Sequence, residues 1–564
     1  MWFSTLNIGY SLRKDPRPPI TLGVFTALLA GGLTLAFLMT WIAFNNTTNQ
    51  FINPLTTLRS WGYQPPWRFQ IAFALGGAAG VVAGLAAYWH AFSHAPLREP
   101  FRQIRPDDPR VFFDDDARRE LQNRFKQDAG LDIEDGLYLA PHLVMPRGVE
   151  LKGLMVVGSP RSGKSNLLRA MADQMIARGD RVLLLCNKGD VTRSFLSEEA
   201  ILIGAHDARS FALDFAADIA GPAAALQFAT DIIPASSPPF WSDAARTVLT
   251  DIILGLIAEH GQSWDAGMLL DACLVETSSI REAISKIKLN ASPFLGAEDD
   301  EDSRTVDGIL ITMRAAAFSK LRPLAWAWQN TPKERRFSVR RWLSSEERRK
   351  PIILQLSAEY AAVSSLVAGH VIKSIATCMA DPAMGISRTR RVGLVLDEFG
   401  SLDQVEGLPR ALAVGREMGL VCMIGIQNPT QIIDAYGNEK GAILSDLLQI
   451  KVYAQQPGGD TTEAISNRLG TRDVSALIYN RTPTAGDRRR LIEERKTVPT
   501  FSASRLADEL KAPAKNQLRS IVHAYGQVFV LNWPVTIWRV RREGMIPAPW
   551  LKNVPLARQP AAPE

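Results

Sequence analysis

The sequence predicts an α/β fold, with a mainly parallel β-sheet, an inserted all-α region and two transmembrane helices preceding both. Three observations predict this fold. Seven short apolar runs alternate with helical stretches, as in a parallel sheet whose strands are separated by helices. Helical periodicity without strand-like runs extends from about Asp218 to Gln329. Two uncharged stretches of membrane-spanning length lie within the first hundred residues.

Composition limits the classes of protein that the chain can belong to. Its 564 residues are too many for one hydrophobic core, which predicts two or three domains. A content of 46% hydrophobic and 22% charged residues excludes a mainly disordered chain. Cys186, Cys273, Cys378 and Cys422 lie far apart, which excludes a disulfide scaffold and a cysteine-based zinc site. The net charge of +6 permits a polyanionic partner without indicating one.

Two apolar stretches near the N-terminus predict membrane spans. Ile20–Phe44 has 25 residues without a charge, more than the roughly 20 that cross a bilayer. Trp41 stands where a cleaved secretory signal would carry a small residue, which favours a true span. The second uncharged stretch is Phe69–Trp89. The two stretches together predict a helical hairpin in the membrane.

Glycines and flanking charges predict how this hairpin packs and how it is oriented. Gly76, Gly80 and Gly84 would share one helix face and allow close packing on the other span, unless their spacing is chance. Basic residues are concentrated outside the loop between the spans, so the positive-inside rule places both chain ends in the cytoplasm. These residues are Arg13, Lys14 and Arg17 before the first span, Arg98, Arg102, Arg105 and Arg110 after the second, against Arg59 and Arg68 in the loop.

The predicted strands are short apolar runs bounded by helical stretches or turn residues. They are Leu154–Val157, Arg181–Cys186, Pro351–Leu356, Val392–Leu396, Val421–Ile426, Ile450–Tyr453 and Val528–Leu531.

The strongest motif is GSPRSGKS at residues 158–165, which matches the P-loop pattern GxxxxGK[ST]. It follows an apolar run and opens an amphipathic helix, the context in which backbone N–H groups bind the phosphates of ATP. Lys164 would neutralise the β- and γ-phosphates, and the Ser165 hydroxyl would bind Mg²⁺. The predicted nucleotide-binding residues are Gly158, Ser159, Pro160, Arg161, Ser162, Gly163, Lys164 and Ser165.

Two further strands end in polar residues that fit nucleotide hydrolysis. Val392–Leu396 is followed by Asp397, which would hold Mg²⁺, and by Glu398, which would orient or deprotonate the attacking water. Strands that end in acids are common, so this pattern indicates nucleotide hydrolysis mainly because a P-loop lies upstream of it. Gln427 follows the next strand and would contact the γ-phosphate or the water, or alternatively cap its own loop.

A series of co-ordered motifs resembles the type IV secretion coupling proteins of the TraD/TraG conjugation family. The order and spacing match from about Leu151 to Trp533, and the two N-terminal spans match as well. The motifs are GSPRSGKS (158–165), NKGD (187–190), DARSFALDF (207–215), FWSDAAR (240–246), LVLDEFGSL (394–402), GREMG (415–419), GIQNPTQIIDAYG (425–437) and VPTFSASRL (498–506).

The resemblance implies a RecA-like P-loop ATPase that binds ATP and Mg²⁺ and forms a homo-hexameric ring at the bacterial inner membrane. It implies delivery of a relaxase with its attached single-stranded DNA, or of protein, to a type IV secretion channel. Arg416 resembles the family's arginine finger, which would complete a neighbour's site; its alternative role is a cation at a helix C-terminus. Asn187 departs from the family, which often has Asp there, so no acidic role carries over.

We expect five segments along the chain. Two other functions stay open: a duplex-DNA translocase of the FtsK/HerA kind, and a secretion receptor that uses nucleotide only as a switch. The segments are a membrane anchor at 1–97, a first part of the nucleotide-binding domain at 98–217, an all-α domain at 218–330, a second part of the nucleotide-binding domain at 331–542 and a Pro/Ala-rich tail at 543–564.

Overall fold

The structure is a computed structural model, in which the chain divides into two compact units. The smaller unit combines Met1–Asp108 with Thr471–Val498, and the larger combines Pro109–Gly470 with Pro499–Glu564. The structure describes residues 13–14, 26–35, 67–93, 97–98, 102–103, 108–130, 136–195, 200–286, 303–329, 331–345, 350–402, 404–405, 407–479, 491–511 and 516–552.

The larger unit is built on a sheet that has ten strands among the described residues, in the order β1-β10-β9-β8-β2-β7-β6-β3-β5-β4. All neighbours from β8 to β4 are parallel, and β9 and β10 form an antiparallel hairpin. All seven predicted strands are confirmed. The strands are β1 (Val111–Phe113), β2 (Leu154–Val157), β3 (Arg181–Cys186), β4 (Ile201–Ile203), β5 (Ile352–Gln355), β6 (Val392–Leu396), β7 (Leu420–Ile426), β8 (Ile450–Tyr453), β9 (Gln517–Ala524) and β10 (Gln527–Pro534).

Helices cover both faces of this sheet, which explains its continuous apolar strands. Every residue of β2, β3, β5, β6 and β7 is buried. The helices are α1 (Asp114–Ala129), α2 (Lys164–Arg178), α3 (Asp190–Ser194), α4 (Pro222–Ile232), α5 (Phe240–His260), α6 (Ala266–Leu274), α7 (Thr277–Lys286), α8 (Ser303–Trp328), α9 (Val339–Ser344), α10 (Ala361–Met379), α11 (Leu408–Gly415), α12 (Thr430–Leu447), α13 (Asp460–Arg468) and α14 (Ala503–Glu509).

The larger unit also contains one-turn helices and two small strand pairs. The short helices are Arg147–Glu150, Phe215–Asp218 and Pro549–Lys552, and the strand pairs are Leu137–Ala140 with Leu143–Met145 and Ala212–Leu213 with Arg336–Phe337.

Helices α4 to α8 form the region in which the sequence predicts an all-α domain. The described residues from Pro222 to Trp328 include no strand. Their core holds the buried Trp264, and it continues into the rings of Phe215 and Phe228, whose centroids lie 4.9 Å apart. The boundaries at 218 and 330 stay a prediction.

Helix α10 is the one helix of the described residues that is long and apolar enough to cross a membrane. Most of it is buried inside the larger unit, as in the core helix of a globular domain.

The smaller unit contains two apolar helices, at Thr26–Leu35 and Trp67–Ser93, that pack through glycines. A Cβ atom added to Gly80 would lie 2.6 Å from the Ala27 carbonyl oxygen and 3.1 Å from Gly31 Cα. The predicted packing role of Gly80 is therefore borne out by direct backbone contact between the helices. The predicted loop at 45–66 lies outside the described residues.

Short strands precede and follow the two helices in the smaller unit. Arg13–Lys14 pairs with Leu97–Arg98, and Arg102–Gln103 pairs with Thr471–Tyr479, which lies beside Leu491–Pro499.

Candidate active site

The predicted nucleotide-binding motifs lie together at one edge of the large sheet. Strand β2 ends at the P-loop (residues 158–165), β7 at Gln427, β6 at Asp397 and Glu398, and β3 at Asn187. The carboxyl ends of parallel strands face the same edge, where α/β sheets bind their ligands. Because β7 lies between β2 and β6, Gln427 lies between the P-loop and the two acids.

The P-loop makes a tight turn between β2 and α2. Arg161 and Gly163 have positive φ angles of 66° and 94°. The Ser162 N–H donates to the Ser159 carbonyl at 3.1 Å, and a Cβ on Gly158 would lie 2.2 Å from Ser162 Oγ. Gly163 is the N-cap of α2 and supplies no side-chain cap. The N–H groups of the first helical turn are therefore oriented for an anion.

The remaining P-loop side chains divide into an anchor and an exposed group. Both the N–H and the hydroxyl of Ser159 donate to the Gln455 carbonyl, at 3.2 and 2.9 Å. Pro160 and Arg161 are exposed at the loop tip. Ser165 is exposed in the first turn of α2, so its hydroxyl is accessible to a bound metal ion.

The P-loop lysine and the first acid form an ion pair at the base of the site. Lys164 Nζ lies 3.0 Å from Asp397 Oδ1, and the lysine is buried. Among the described residues, Lys164 Nζ and Ser162 Oγ are buried atoms without a hydrogen-bond partner. An ammonium group with unused donors and an adjacent carboxylate fit phosphate and Mg²⁺ respectively.

Strand β7 leaves room for this ion pair at a glycine. A Cβ on Gly425 would lie 2.7 Å from Asp397 Oδ1 and 3.1 Å from Lys164 Cδ. The sequence analysis did not identify Gly425, although it stands two residues before Gln427 inside an otherwise apolar run. A glycine within a buried strand is the signal that would have indicated a close approach.

Glu398 is held by two residues that follow β3. Asn187 Nδ2 donates to Glu398 Oε2 at 3.0 Å, and Lys188 Nζ donates to Oε1 at 3.1 Å. This hydrogen bond raises the pKa of Lys188. Glu398 has a φ of 58°, and the Ser401 hydroxyl donates to its carbonyl at 2.8 Å. Sequence reasoning singled out the NKGD motif but missed this contact, because it depends on β3 and β6 being neighbours.

Gln427 is placed by its backbone. It follows the last residue of β7, and its N–H donates to Gln431 Oε1 at 2.8 Å. The loop is thus capped by Gln431 rather than by Gln427 itself.

Arg416 lies far from the P-loop of its own chain. It follows α11 and precedes β7, whereas the P-loop follows the parallel strand β2. The seven residues of β7 span about 23 Å. The Arg416 guanidinium donates to the Leu447 carbonyl, and burial lowers its pKa. The structure therefore does not bring Arg416 together with the other predicted site residues.

The basic stretch at 333–342 is largely engaged within the larger unit. Arg335 donates to the Arg209 carbonyl at 2.6 Å, Arg336 lies 3.5 Å from Asp265, and Arg341 is paired with Asp214. These contacts hold the three arginines within the larger unit.

A family comparison supports the assignment that the motifs suggest. The model of the type IV secretion-system coupling protein DNA-binding domain matches residues 137–509, about two thirds of the chain. The chain belongs to this family. The predicted family membership is confirmed.

Known proteins are similar to this chain in sequence and in fold. Coupling protein TraD of Escherichia coli (strain K12) is 22% identical over 334 residues, which are 58% of this chain and 45% of TraD. The match thus spans less than half the length of that relative. The structure of bacterial conjugative coupling protein TrwBdeltaN70, in its unbound form, superposes with a TM-score of 0.62 at 19% identity, over 79% of this chain and 96% of that one.

A second solved structure is plasmid coupling protein TrwB in complex with ADP and Mg²⁺. It has a TM-score of 0.60 at 19% identity and covers 79% of this chain and 97% of TrwB. At this level of identity the likeness confirms the predicted α/β fold.

Proposed function

We propose that this chain is a coupling ATPase that delivers relaxase-bound single-stranded DNA, or protein, to a type IV secretion channel. The observation that carries the proposal is the Lys164–Asp397 pair, which lies beside Glu398 at the carboxyl edge of the sheet. Family membership supports the cargo and the channel, and the ADP and Mg²⁺ of TrwB support the cofactors. A receptor that only senses nucleotide would need no base for hydrolysis, so Glu398 would have no role in it.

Each residue of the site has a part in hydrolysis. Residues 158–165 bind the phosphates of ATP, and Lys164 balances their charge. Ser165 and Asp397 would hold Mg²⁺, which neutralises charge on the phosphates. Glu398 orients the attacking water and accepts its proton, and Gln427 contacts the γ-phosphate or that water.

A ring would place Arg416 at a neighbour's site. Its position at the sheet edge opposite the P-loop supports a role in trans, since it cannot reach the phosphates of its own chain. The contact with the Leu447 carbonyl would then be exchanged for the γ-phosphate of the neighbouring subunit. We propose a homo-hexamer on this basis and on family membership.

We also propose that the two N-terminal helices span the bacterial inner membrane, with both chain ends in the cytoplasm. The support is their close packing at Gly31 and Gly80 and the apolar outer surface of the pair. Leu28, Val82 and Leu85 are 73%, 67% and 62% exposed, as side chains that face lipid would be.

Two substitutions test hydrolysis. Lys164→Ala removes the cation that pairs with phosphate, so ATP affinity falls by about tenfold or more. Glu398→Gln keeps that cation and removes the base, so ATP binds with ordinary affinity and persists unhydrolysed. Equilibrium binding of ATP together with release of phosphate measures both. Wild-type turnover in Glu398→Gln would contradict the assigned base.

A further inference from the structure

Both carboxylate oxygens of Glu398 are engaged at once. Lys188 donates to Oε1 and Asn187 donates to Oε2, at 3.1 and 3.0 Å. We call these two residues the Glu398 clamp. Asn187 also lies 2.7 Å from Ser401 Oγ, so its amide is fixed between two partners that belong to the acid's own turn. An acid that accepts from an ammonium and an amide together is a weaker proton acceptor than one with an open oxygen.

The side chain at position 187 fits this clamp because it is an amide. An aspartate there would repel Glu398 at the same distance, whereas the asparagine donates to it. Lys188 is 74% exposed, so water can replace its contact at small cost. The contact at position 187 therefore requires an amide, whereas the contact between Lys188 and Glu398 is easily broken.

The loop that carries the clamp is held from its other side by the C-terminal segment. Gly189 has a φ of 67°, and a Cβ on it would lie 2.8 Å from the Gly544 carbonyl oxygen. A Cβ on Gly544 would lie 2.9 Å from the Gly189 carbonyl oxygen. The two backbones thus touch directly, at a distance that only a pair of glycines permits.

Hydrogen bonds reinforce this glycine contact on the neighbouring helix α3. Arg542 Nε donates to the Thr192 carbonyl at 2.8 Å. The backbone N–H groups of Arg541 and Arg542 both donate to the Arg193 carbonyl, at 2.9 and 3.1 Å. Displacement of the C-terminal segment would remove all of these contacts together.

The segment at 535–552, which we call the strap, connects the P-loop helix with distant parts of the larger unit. At one end, Trp538 Nε1 donates to Asp173 of α2 at 2.7 Å. At the other, Trp550 Nε1 donates to the Ala205 carbonyl at 2.8 Å, and its ring packs 6.4 Å from that of Trp326 on α8. The expected tail boundary at 543 falls inside this packed segment.

An open cavity of about 970 Å³ lies beside the contact between Gly189 and Gly544. Its lining includes Asn187, Lys188 and Gly189 together with the strap from Val540 to Met545. The clamp residues therefore have space into which they can withdraw from Glu398.

We propose that Asn187 and Lys188 are positioning residues that hold Glu398 in a resting state, and that the strap keeps them there through the contact between Gly544 and Gly189. The proposal rests on the proposed ATPase function. Opening the clamp frees a carboxylate oxygen of Glu398 for the attacking water. Because Trp550 of the strap also contacts α8, the strap links this opening to that helix.

Steady-state hydrolysis by the full-length protein tests the clamp. Lys188→Ala raises kcat by about two- to fivefold, the range to which an exposed ion pair converts. Asn187→Asp raises kcat by about three- to tenfold, the range to which one hydrogen bond of ordinary strength converts. KM for ATP stays unchanged, because neither residue touches the P-loop, and Lys188→Arg restores the wild-type rate. Lys511→Ala is the control, since it removes another exposed lysine from a 2.9 Å ion pair, here with Asp508. A kcat of Lys188→Ala equal to or below wild type overturns the proposal.

Substitution in the strap tests its connection to the clamp. Gly544→Ala pushes the Gly189 backbone away and raises kcat as Lys188→Ala does, and the double variant shows no further rise. Arg542→Gln, which removes the donor to Thr192, gives the same result if Gly544→Ala does not fold. Ile537→Ala is the control, at a strap residue that is 85% exposed. Wild-type rates in both strap variants, or additive effects in the double variant, overturn the role of the strap.

Glu398→Gln separates this proposal from the function on which it rests. If the wild-type protein does not hydrolyse ATP, or if Glu398→Gln hydrolyses it at the wild-type rate, the proposed function and the clamp are both contradicted. A wild-type protein that depends on Glu398 but gains nothing from Lys188→Ala contradicts only the clamp.

Discussion

At the scale of single residues, the geometry of the site depends on Gly425 as much as on the charged groups above it. The Lys164–Asp397 pair lies against the backbone of β7, in space that any Cβ at position 425 would occupy. The absence of a side chain at position 425 thus allows Lys164 and Asp397 to meet directly against the β7 backbone.

We predict that Gly425→Ala lowers ATP affinity by about tenfold, because the new methyl group displaces Asp397 and Lys164. Gly393→Ala is the matched control on β6. Its methyl group would clash with the end of the Met175 side chain, which can move, and would lie at an ordinary 3.8 Å from the Arg181 carbonyl oxygen. Equilibrium binding of ATP measures both variants, with a melting curve to verify folding. Unchanged affinity in Gly425→Ala would show that the pair tolerates displacement.

At the scale of elements, the hairpin β9–β10 extends the parallel sheet and places His523 where its protonated form is disfavoured. His523 pairs in register with Lys451 of β8. Burial, with a smaller contribution from Lys451, lowers the pKa of His523 to about 4. The unfolded chain, with a histidine pKa near 6.5, therefore binds a proton over a range where the folded chain does not.

We predict that His523 makes stability fall as pH decreases from about 6.5 to 4. The contribution is present in full above the pKa of the unfolded state and is lost on the way to that of the folded state. It amounts to about 2 kcal/mol, less than the full shift because the ring keeps some contact with solvent. Melting temperatures across this range measure it, and His523→Gln removes this part of the pH dependence. An unchanged slope in the variant would contradict the assignment.

At the scale of the whole molecule, the site and Arg416 lie at opposite edges of one sheet. Under the proposed function, a second copy of the chain supplies the cation that the site of one chain lacks. Tethering at a membrane would favour that encounter by raising the local concentration of subunits.

We predict that Arg416→Ala abolishes turnover and leaves ATP binding intact, because an arginine finger contributes orders of magnitude to the rate. Mixing Arg416→Ala with Lys164→Ala restores part of the activity, since one subunit supplies the finger and the other a working P-loop. Phosphate release at several mixing ratios is the measurement. If no ratio restores activity, Arg416 has the role that its Leu447 contact suggests, a cation that stabilises its own fold.

The sequence by itself determined the seven predicted strands, the P-loop and the acids, because each is written in contiguous residues. An apolar run, a glycine-rich loop and a strand-terminal acid are local patterns whose chemistry does not depend on distant partners. The order of the motifs likewise sufficed to indicate the family.

Only the tertiary structure decided which residues of these motifs contact one another and what packs against them. The contact of Asn187 and Lys188 with Glu398 joins residues more than 200 positions apart, and it exists because β3 and β6 are neighbours in the sheet. The strap packs where the sequence indicates a tail, since its glycine and tryptophan find partners that no local pattern specifies. Strand order and long-range packing arise from burial of the whole core, so they could not be obtained from one segment at a time.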